Sequence, residues 1–419
     1  MKYDFEKKCD ILIAGAGMAG TAAALASARA GMKTILLEKT VFAGGLATTG
    51  MILHYLPLSD SRGNQVTFGI AEELLLGSIK YGPGHISPEW KIPNSGKRYG
   101  CRFSPAAFIL YLDKILEKNN VDIWFDTVVS DVKMNKSKLR SVEVVNKSGK
   151  GLIHAKTFVD ATGDADIANF AKAPCQIQDN FLSIWSLGIS LDDAKKAVAE
   201  NSGYSLLHMV SAGGDSAGCG HDKNMRKFYG TIGKDVSKFN LRSRELLRNY
   251  YSAKQTELGQ NGRNDFFPVA LPAMACFRTT RRIEAEFTLS NNHKFTHFDD
   301  CIGIVADWRG GHDIWEIPYR TLVPKKVKGL LLAGRCISSE AEAWEVTRVI
   351  QAAAVTGEVC GTASALAIKH GILPGDLDIR ILQNELISKG FLLDFRKLNI
   401  KDISPKTYPA ENTSHENFY

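Results

Sequence analysis

The sequence predicts an α/β fold: a Rossmann-like nucleotide-binding domain (parallel sheet plus β-meander) with an inserted α+β domain. Three observations carry this. Residues 9–39 read CDILIAGAGMAGTAAALASARAGMKTILLEK, which is strand, glycine-rich turn, helix and second strand in order. Residues 121–159 contain strand-like runs, the later ones joined by the short turns Asn-Lys-Ser-Lys and Lys-Ser-Gly-Lys. Residues 329–334 form another buried strand ending in glycine, and a long helix of small residues follows from about 349 to 369.

In the first unit, Ile11, Leu12 and Ile13 read as a strand buried on both faces. Gly15, Gly17 and Gly20 follow with the spacing G-x-G-x-x-G. They allow, in turn, a tight turn, close approach of the backbone to a pyrophosphate, and close packing of helix on strand. Met18 and Ala19 open the helix, whose free N–H groups carry about half a positive charge. The second strand, Thr34 to Leu37, ends on Glu38 and Lys39, and Glu38 is placed to accept hydrogen bonds from an adenosine ribose. Glycine-rich turns are common by themselves. Strand, glycines, helix, second strand and terminal acid in this order specify a dinucleotide site.

Residues 51–100 are rich in Gly, Pro and aromatics and read as a loop-rich excursion with one short helix near Ile70–Lys80. Ser104-Pro105 is a helix entry, an N-cap followed by proline at the first position. That helix runs to about Lys118, with Phe108, Tyr111, Leu112, Ile115 and Leu116 at helical spacing. Val121–Phe125 is a strand, and Val128–Met134, Leu139–Asn146 and Gly151–Val159 form the meander. Residues 175–325 are mixed, with a glycine loop at 211–220 and a basic helix at 241–254. Segments 1–50, 101–174 and 326–375 are assigned to a discontinuous nucleotide-binding domain. Segments 51–100 and 175–325 are assigned to a substrate or cap domain, and 376–419 to a C-terminal extension. Its end, residues 399–419, is polar and aperiodic, which suits a mobile tail or an arm on a neighbouring copy in a homo-oligomer.

The 44% hydrophobic and 23% charged content is that of a soluble globular protein. No apolar run reaches membrane-spanning length, and the charged first residues do not form a signal peptide, so a cytoplasmic protein without membrane partners is expected. The eight cysteines are scattered singly, without metal spacing, so no metal is expected. Net charge is +7. It suits attraction of cofactor phosphates or an acidic substrate. Nucleic acid is not the expected partner, since no basic run is interleaved with aromatics.

Four further stretches extend the pattern. They are Gly44-Gly45-Leu46-Ala-Thr-Thr-Gly50 after Glu38, Ala161-Thr162-Gly163-Asp164 after the meander, Arg278-Thr-Thr-Arg281-Arg282-Ile, and Ile317-Pro-Tyr-Arg320 leading to Gly334-Arg335 and Arg348. Together with the first unit they resemble the FAD-dependent oxidoreductase family of the glutathione-reductase-like superfamily, related to the fumarate reductase and thiazole-synthesis flavoproteins. The resemblance spans about residues 8–390. It implies a Rossmann-like FAD-binding domain with an inserted substrate domain. It also implies that Gly44 and Gly45 pass close to the flavin, that Val128 and Val129 hold the adenine edge, and that Ala161–Asp164 lies beside pyrophosphate and ribose. Gly334-Arg335 would end a strand beneath the cofactor. The helix after Arg348, with Ala353 in its first turn, would aim its N-terminus at the flavin. The glycine loop has no histidine, so the FAD is expected to be non-covalent. No second G-x-G-x-x-G is present: Gly213-Gly214 and Gly218-x-Gly220 lack its third glycine and a preceding strand.

The implied activity is hydride transfer between flavin N5 and a small polar or anionic organic substrate. Flavin chemistry needs from the protein a proton donor or acceptor and charge complementarity. Arg281, Arg348, His54 and His312 are the candidates. Arg281 and Arg282 have the competing reading of pairs with Glu284 or Glu286, Arg348 of a pair with Glu342 or Glu345, and the histidines of satisfied loop residues. Cys336, Trp344 and Tyr55 read as packed residues. Two other functions stay open: an FAD-carrying electron-transfer or assembly subunit without its own substrate, and an RNA-modifying flavoprotein.

Overall fold

Residues 2–98, 100–215, 218–398, 400 and 406–407 are described in the computed structural model. Most of the predicted tail, 399–419, therefore lies outside the described residues. Along the chain, β1 (Phe5–Lys8) and β2 (Ile11–Ala14) lead into α1 (Met18–Arg29), and β3 (Thr34–Leu37) completes the first unit. β4 (His54–Tyr55) precedes α2 (Ile70–Ser78), and β5 (Cys101–Arg102) precedes α3 (Pro105–Lys118). Next come β6 (Asp122–Trp124), β7 (Val128–Asn135), β8 (Lys138–Asn146), β9 (Gly149–His154), β10 (Thr157–Asp160) and α4 (Asp166–Phe170). The middle supplies β11 (Cys175–Ile177), β12 (Asp179–Asn180), β13 (Ser183–Ser190), α5 (Leu191–Ala199), β14 (His208–Gly213) and β15 (Phe228–Tyr229). It continues with α6 (Gly233–Glu257), α7 (Gly262–Asp265), β16 (Phe266–Ala270) and β17 (Arg281–Ile283). Last come β18 (Thr296–His297), β19 (Cys301–Ala306), β20 (Ile314–Pro318), β21 (Leu330–Leu332), α8 (Ala341–Thr347), α9 (Ile350–His370) and α10 (Ile379–Ser388).

The central sheet has five parallel strands in the order β21-β10-β2-β3-β6. Ile11 and Ile13 of β2 join a core that contains buried residues of α1, α3 and α9, while Leu12 and Ala14 join a second core with the meander. Leu36 and Leu331 follow the first pair; Ile35, Leu37, Leu330 and Leu332 follow the second. Burial on both faces is why these strands read as unbroken apolar runs rather than alternating ones. The meander layer is a four-stranded sheet, β1-β9-β8-β7, in which β1 runs parallel to β9.

The run expected as one strand over Gly151–Val159 is two. β9 pairs with β8 and β1, whereas β10 pairs with β2 and β21. The chain changes sheets at Ala155-Lys156, where Lys156 N–H donates to Asp10 O at 3.0 Å. Both strands are apolar, so composition does not mark the crossing. The basic helix also begins earlier than expected, at Gly233. Its N-cap, Ile232, has no capping side chain, so the sequence carries no start signal. Asp235, Phe239, Ser243, Leu247 and Tyr251 form its buried stripe at every fourth residue.

The segments assigned to the inserted domain do not share one core. Leu53, Tyr55, Ile70 and Leu74, and later Ile302, Trp315 and Ile317, lie in the core with α1 and α9. Separate small cores occur within residues 182–277: Ile184, Val210, Leu247, Tyr251 and Phe266 in one, Leu182, Phe228, Phe239 and Phe277 in another. This smaller body is built on the antiparallel sheet β14-β13-β16 and α6. The pairing of β11 with β17 links its two ends. Gly/Pro-rich loops concealed the core role of the 51–100 region, because their apolar residues are too sparse to show a period.

α1 is alanine-rich because it is covered on both sides. Its residues from Met18 to Ser27 are all buried. α9 packs on it through Gly357 and Gly361: a Cβ on Gly357 would stand 2.0 Å from Ala19 O, and one on Gly361 2.3 Å from Ala23 O. Among the described residues no single helix is long and apolar enough to cross a membrane; α9 is apolar because it is buried.

α9 also carries Glu358, 4% exposed, whose Oε2 accepts from Ile70 N–H at 2.6 Å at the start of α2. Burial raises its pKa to about 6, against the opposing effects of the Ile70 hydrogen bond, Lys389 and Arg29. A folded pKa above the unfolded one means that the native state holds the proton more tightly. The stability contribution of Glu358 therefore falls as pH rises from about 4.5 to about 6. Glu358→Gln keeps an acceptor for Ile70 and removes the charge. Its stability relative to wild type should rise by about 2 kcal/mol across that window. Urea unfolding of both proteins at pH 4.5 and about 7 checks this, and a difference independent of pH would refute it.

Glu316 of β20 accepts from Phe298 N–H at 2.8 Å and Phe395 N–H at 2.9 Å, and His297 Nδ1 lies 3.0 Å from it. This fully buried carboxylate on β20 ties the 3-10 turn after α10 to the end of β18.

Candidate active site

A cleft runs along the C-terminal ends of β2, β3, β10 and β21. Open parallel sheets bind ligands at this edge, because helix N-termini and inter-strand loops converge there. Gly15, Gly17, Met18 and Ala19 line it after β2, and Glu38 and Lys39 after β3. Gly44, Gly45 and Leu46, then Val128 and Val129, Ala161–Gly163, Gly334, Arg335, Arg348 and Ala353 complete most of the wall. Sequence-distant segments thus meet at one surface.

Two of the residues expected to bind the cofactor stand elsewhere. Gly20 is not on the cleft wall; a Cβ there would lie 1.7 Å from Gly15 O, so its role is packing of the turn. Asp164 is not on the wall either, and Asp166 is. Asp164 Oδ1 accepts from Arg335 Nη2 at 2.8 Å and Thr280 Oγ1 at 2.7 Å.

The glycines differ in what requires them. Gly15 has φ +91°, and a Cβ would meet Ala161 O at 2.5 Å. Gly17 has an ordinary φ of −62°, and a Cβ there would meet nothing within 4 Å. No protein atom excludes a side chain at Gly17; a side chain would instead enter the cleft at the N-terminus of α1. Glu38, 6% exposed, is already engaged: Oε2 accepts from Ala16 N–H at 2.8 Å and Oε1 from Thr40 N–H at 2.9 Å. Its carboxylate is fixed at the rim of the cleft.

Two arginines hold the turn after β10. Arg335 Nε donates to Gly163 O at 2.8 Å, and Arg281 Nη1 donates to Asp164 O at 2.9 Å. Arg281 also reaches Asp166 Oδ1 at 3.4 Å. Burial, then Asp164 and Asp160, push the Asp166 carboxyl up to about 6. Arg281 is buried and is not on the cleft wall. It positions the turn from behind, and neither Glu284 nor Glu286 is its partner. Arg282 pairs with Glu340 at 2.9 Å.

Arg348 does line the cleft, with Ile350 and Ala353 of the first turn of α9 beside it. One of its terminal nitrogens pairs with Glu345, while its buried Nε has no partner among the described residues. The two histidines are placed differently from expectation. His54 sits in β4 opposite Arg102, off the cleft wall, and burial followed by Arg102 lowers its pKa. His312 lies in the loop between β19 and β20, where Nδ1 is 2.5 Å from Ser61 Oγ, also off the wall. Proximity to a motif in sequence misplaced both, because β4 turns away to pair with β5 and the β19–β20 loop projects outward. Cys336, fully buried, has its thiol pKa pushed well up by burial; Tyr55 donates to Ala71 O at 2.7 Å within the core.

Met274, from the smaller body, also lines the cleft and accepts from Thr49 Oγ1 at 3.0 Å. Four residues later comes Arg278, within the electrostatic field of Arg348. Sequence reasoning selected the later arginines of that motif. Spacing does not show that Arg281 and Arg282 lie on β17 while Arg278 precedes it in irregular chain.

A family model described as FAD dependent oxidoreductase matches residues 10–181 and 194–386. No curated protein matches the sequence. A geranylgeranyl bacteriochlorophyll reductase-like protein from Thermoplasma acidophilum is similar in structure, with a TM-score of 0.46 and 15% identity over 92% of this chain and 84% of that one. Quinol fumarate reductase from E. coli is similar with a TM-score of 0.46 and 12% identity, over 92% of this chain and 74% of that one. The p-nitrophenol 4-monooxygenase of Pseudomonas putida gives 0.46 and 12%, over 91% and 84%.

Proposed function

Since the chain belongs to the FAD-dependent oxidoreductase family, we propose that it transfers hydride between flavin N5 and a small polar or anionic organic substrate. Bound FAD supplies the two-electron chemistry. One observation supports the reading furthest: Gly15, Gly17, Glu38, Gly44 and Gly45, the residues expected to cradle a dinucleotide, line the same cleft as Arg348. At the cradle end, Glu38 and Lys39 would hold the adenosine ribose, and Val128 and Val129 the adenine edge. The N–H groups at the start of α1 would hold the pyrophosphate, reached across Gly17. At the other end, Gly44 and Gly45 would let the ring system approach the backbone, and Leu46 and Met274 would give it an apolar surface.

Arg348 and the N-terminus of the 21-residue α9 place positive charge at that second end. Positive charge there favours whichever state of the reaction carries more negative charge. No histidine lines that end among the described residues, so Arg348 is the charged group proposed to meet cofactor or substrate.

Purified protein reconstituted with FAD should retain the flavin, and anaerobic addition of a panel of small organic acids should bleach its absorption band. Arg348→Ala should keep the flavin and bleach about tenfold more slowly, the loss of one charge-assisted hydrogen bond of about 1.5 kcal/mol. A protein that cannot hold FAD would refute the cleft assignment. Bleaching by a reduced carrier protein, and by no small molecule, would shift the reading to an electron-transfer subunit.

A further inference from the structure

We propose that Arg278, braced by Trp185 on the smaller body, acts with Arg348 to bind the oxyanion of the substrate, a carboxylate or phosphate, at the open end of the cofactor cleft. This rests on the reading of the cleft as the FAD and substrate site.

The segment that carries Arg278 is pinned to the glycine loop of the cleft. Ala273 N–H donates to Thr49 O at 2.8 Å, and Cys276 Sγ lies 3.4 Å from Gly50 O. Arg278 N–H donates to Asn180 Oδ1 at 3.0 Å. The backbone position of Arg278 is therefore set relative to the cleft, although Arg278 is not itself part of the wall.

Its side chain is left uncommitted. Among the described residues the guanidinium makes neither a hydrogen bond nor an ion pair; it lies over the Trp185 ring, 5.1 Å from the centroid. Arg281, Arg335 and Arg348 each have a carboxylate partner. A half-buried guanidinium without one is costly to keep charged. Burial, then the positive charge of Arg348, lower the Arg278 pKa to about 10, with Glu345 and Asp215 acting in the opposite sense. Of those two acids, Glu345 is bonded to Arg348, and Asp215 accepts from Cys219 N–H at 2.9 Å.

Arg278 follows Phe277, whose carbonyl accepts from the cleft residue Arg335, so it stands at the border of the cleft that Arg348 lines; it has no bonded acid among the described residues, and Arg348 has a buried Nε without a partner. An oxyanion between them would satisfy both. The planar fork of arginine suits carboxylate and phosphate, which take two N–H donors from one side. Trp185 contributes a cation–π contact that limits the rotamers of Arg278, so that less entropy is lost on binding.

The test uses the full-length FAD-loaded protein. Benzoate, inorganic phosphate and the neutral amide benzamide are titrated in, and the perturbation of the flavin absorption band is followed. At least one oxyanion should bind about tenfold or more tightly than benzamide. Arg278→Ala should abolish that preference without changing FAD content or benzamide affinity, and Arg278→Lys should restore part of it. Which oxyanion responds identifies the substrate head group. If neither binds better than benzamide, or if Arg278→Ala binds them as wild type does, the proposal is overturned. Should Arg278→Ala lose FAD, Arg278→Gln provides the same comparison. Failure of wild type to hold FAD would instead strike the proposed function. Retained FAD and substrate bleaching with no role for Arg278 would strike this inference alone.

Discussion

Gly17→Val is expected to leave the fold intact and lower FAD affinity by about two to four orders of magnitude. Gly17 has φ −62° and ψ −178°, a conformation open to any residue, and a Cβ would touch no atom within 4 Å. The apoprotein should therefore unfold at the wild-type temperature. The valine methyls would occupy the cleft at the N-terminus of α1, where the backbone must come close to the pyrophosphate. Losing about two charge-assisted hydrogen bonds of 1.5–3 kcal/mol each yields the stated range. Gly15→Val makes the contrast. Its φ of +91° and the 2.5 Å approach to Ala161 O mean that both fold and cofactor should suffer. Flavin content after gel filtration, with thermal unfolding of the apoproteins, separates the two cases. Full flavin retention by Gly17→Val would show that the cradle has been misidentified.

Gly357→Ala is expected to destabilise the protein by about 1–3 kcal/mol or more, although alanine is the better helix former by about 1 kcal/mol. The added Cβ would sit 2.0 Å from Ala19 O, a main-chain atom of α1 that cannot rotate away. α9 must retreat from α1, and the alanine layer between them, Ala19, Ala22, Ala23 and Ala26, loses its contacts. Gly361 has the same relation to Ala23 O at 2.3 Å, so the double substitution should destabilise by about 2–6 kcal/mol, which at its upper end matches the lower range of domain stabilities. Gly233, with nothing within 4 Å at the start of α6, serves as the control and should tolerate alanine. Urea unfolding measures all three, and a neutral Gly357→Ala would mean that the two helices are not packed this closely.

Local chemistry made the cofactor end legible. Gly15, Gly17, Gly20 and Glu38 lie within 24 consecutive positions, and their spacing reflects the geometry of one turn and one helix end. Ala161–Gly163 and Gly334-Arg335 were readable for the same reason, each being the end of a buried strand in the parallel sheet. The substrate end is different. Arg281 and Arg278 are three residues apart in one motif, yet one braces the turn before α4 from behind and the other lies over the Trp185 ring. His54 lies only nine residues beyond Gly45 in the chain, but β4 carries it into a hairpin with β5.

Sequence by itself determined the dinucleotide unit, the FAD family and the order of most helices and strands. Those follow from contacts between near neighbours, and such contacts repeat whenever the spacing does. Tertiary structure alone decided that the 51–100 region completes the main core, that Gly151–Val159 divides between two sheets, and that Met274, and neither His54 nor His312, joins Arg348 on the cleft wall. These depend on how distant segments are brought together, and no residue type or period records which face a side chain will present once its strand has found a partner.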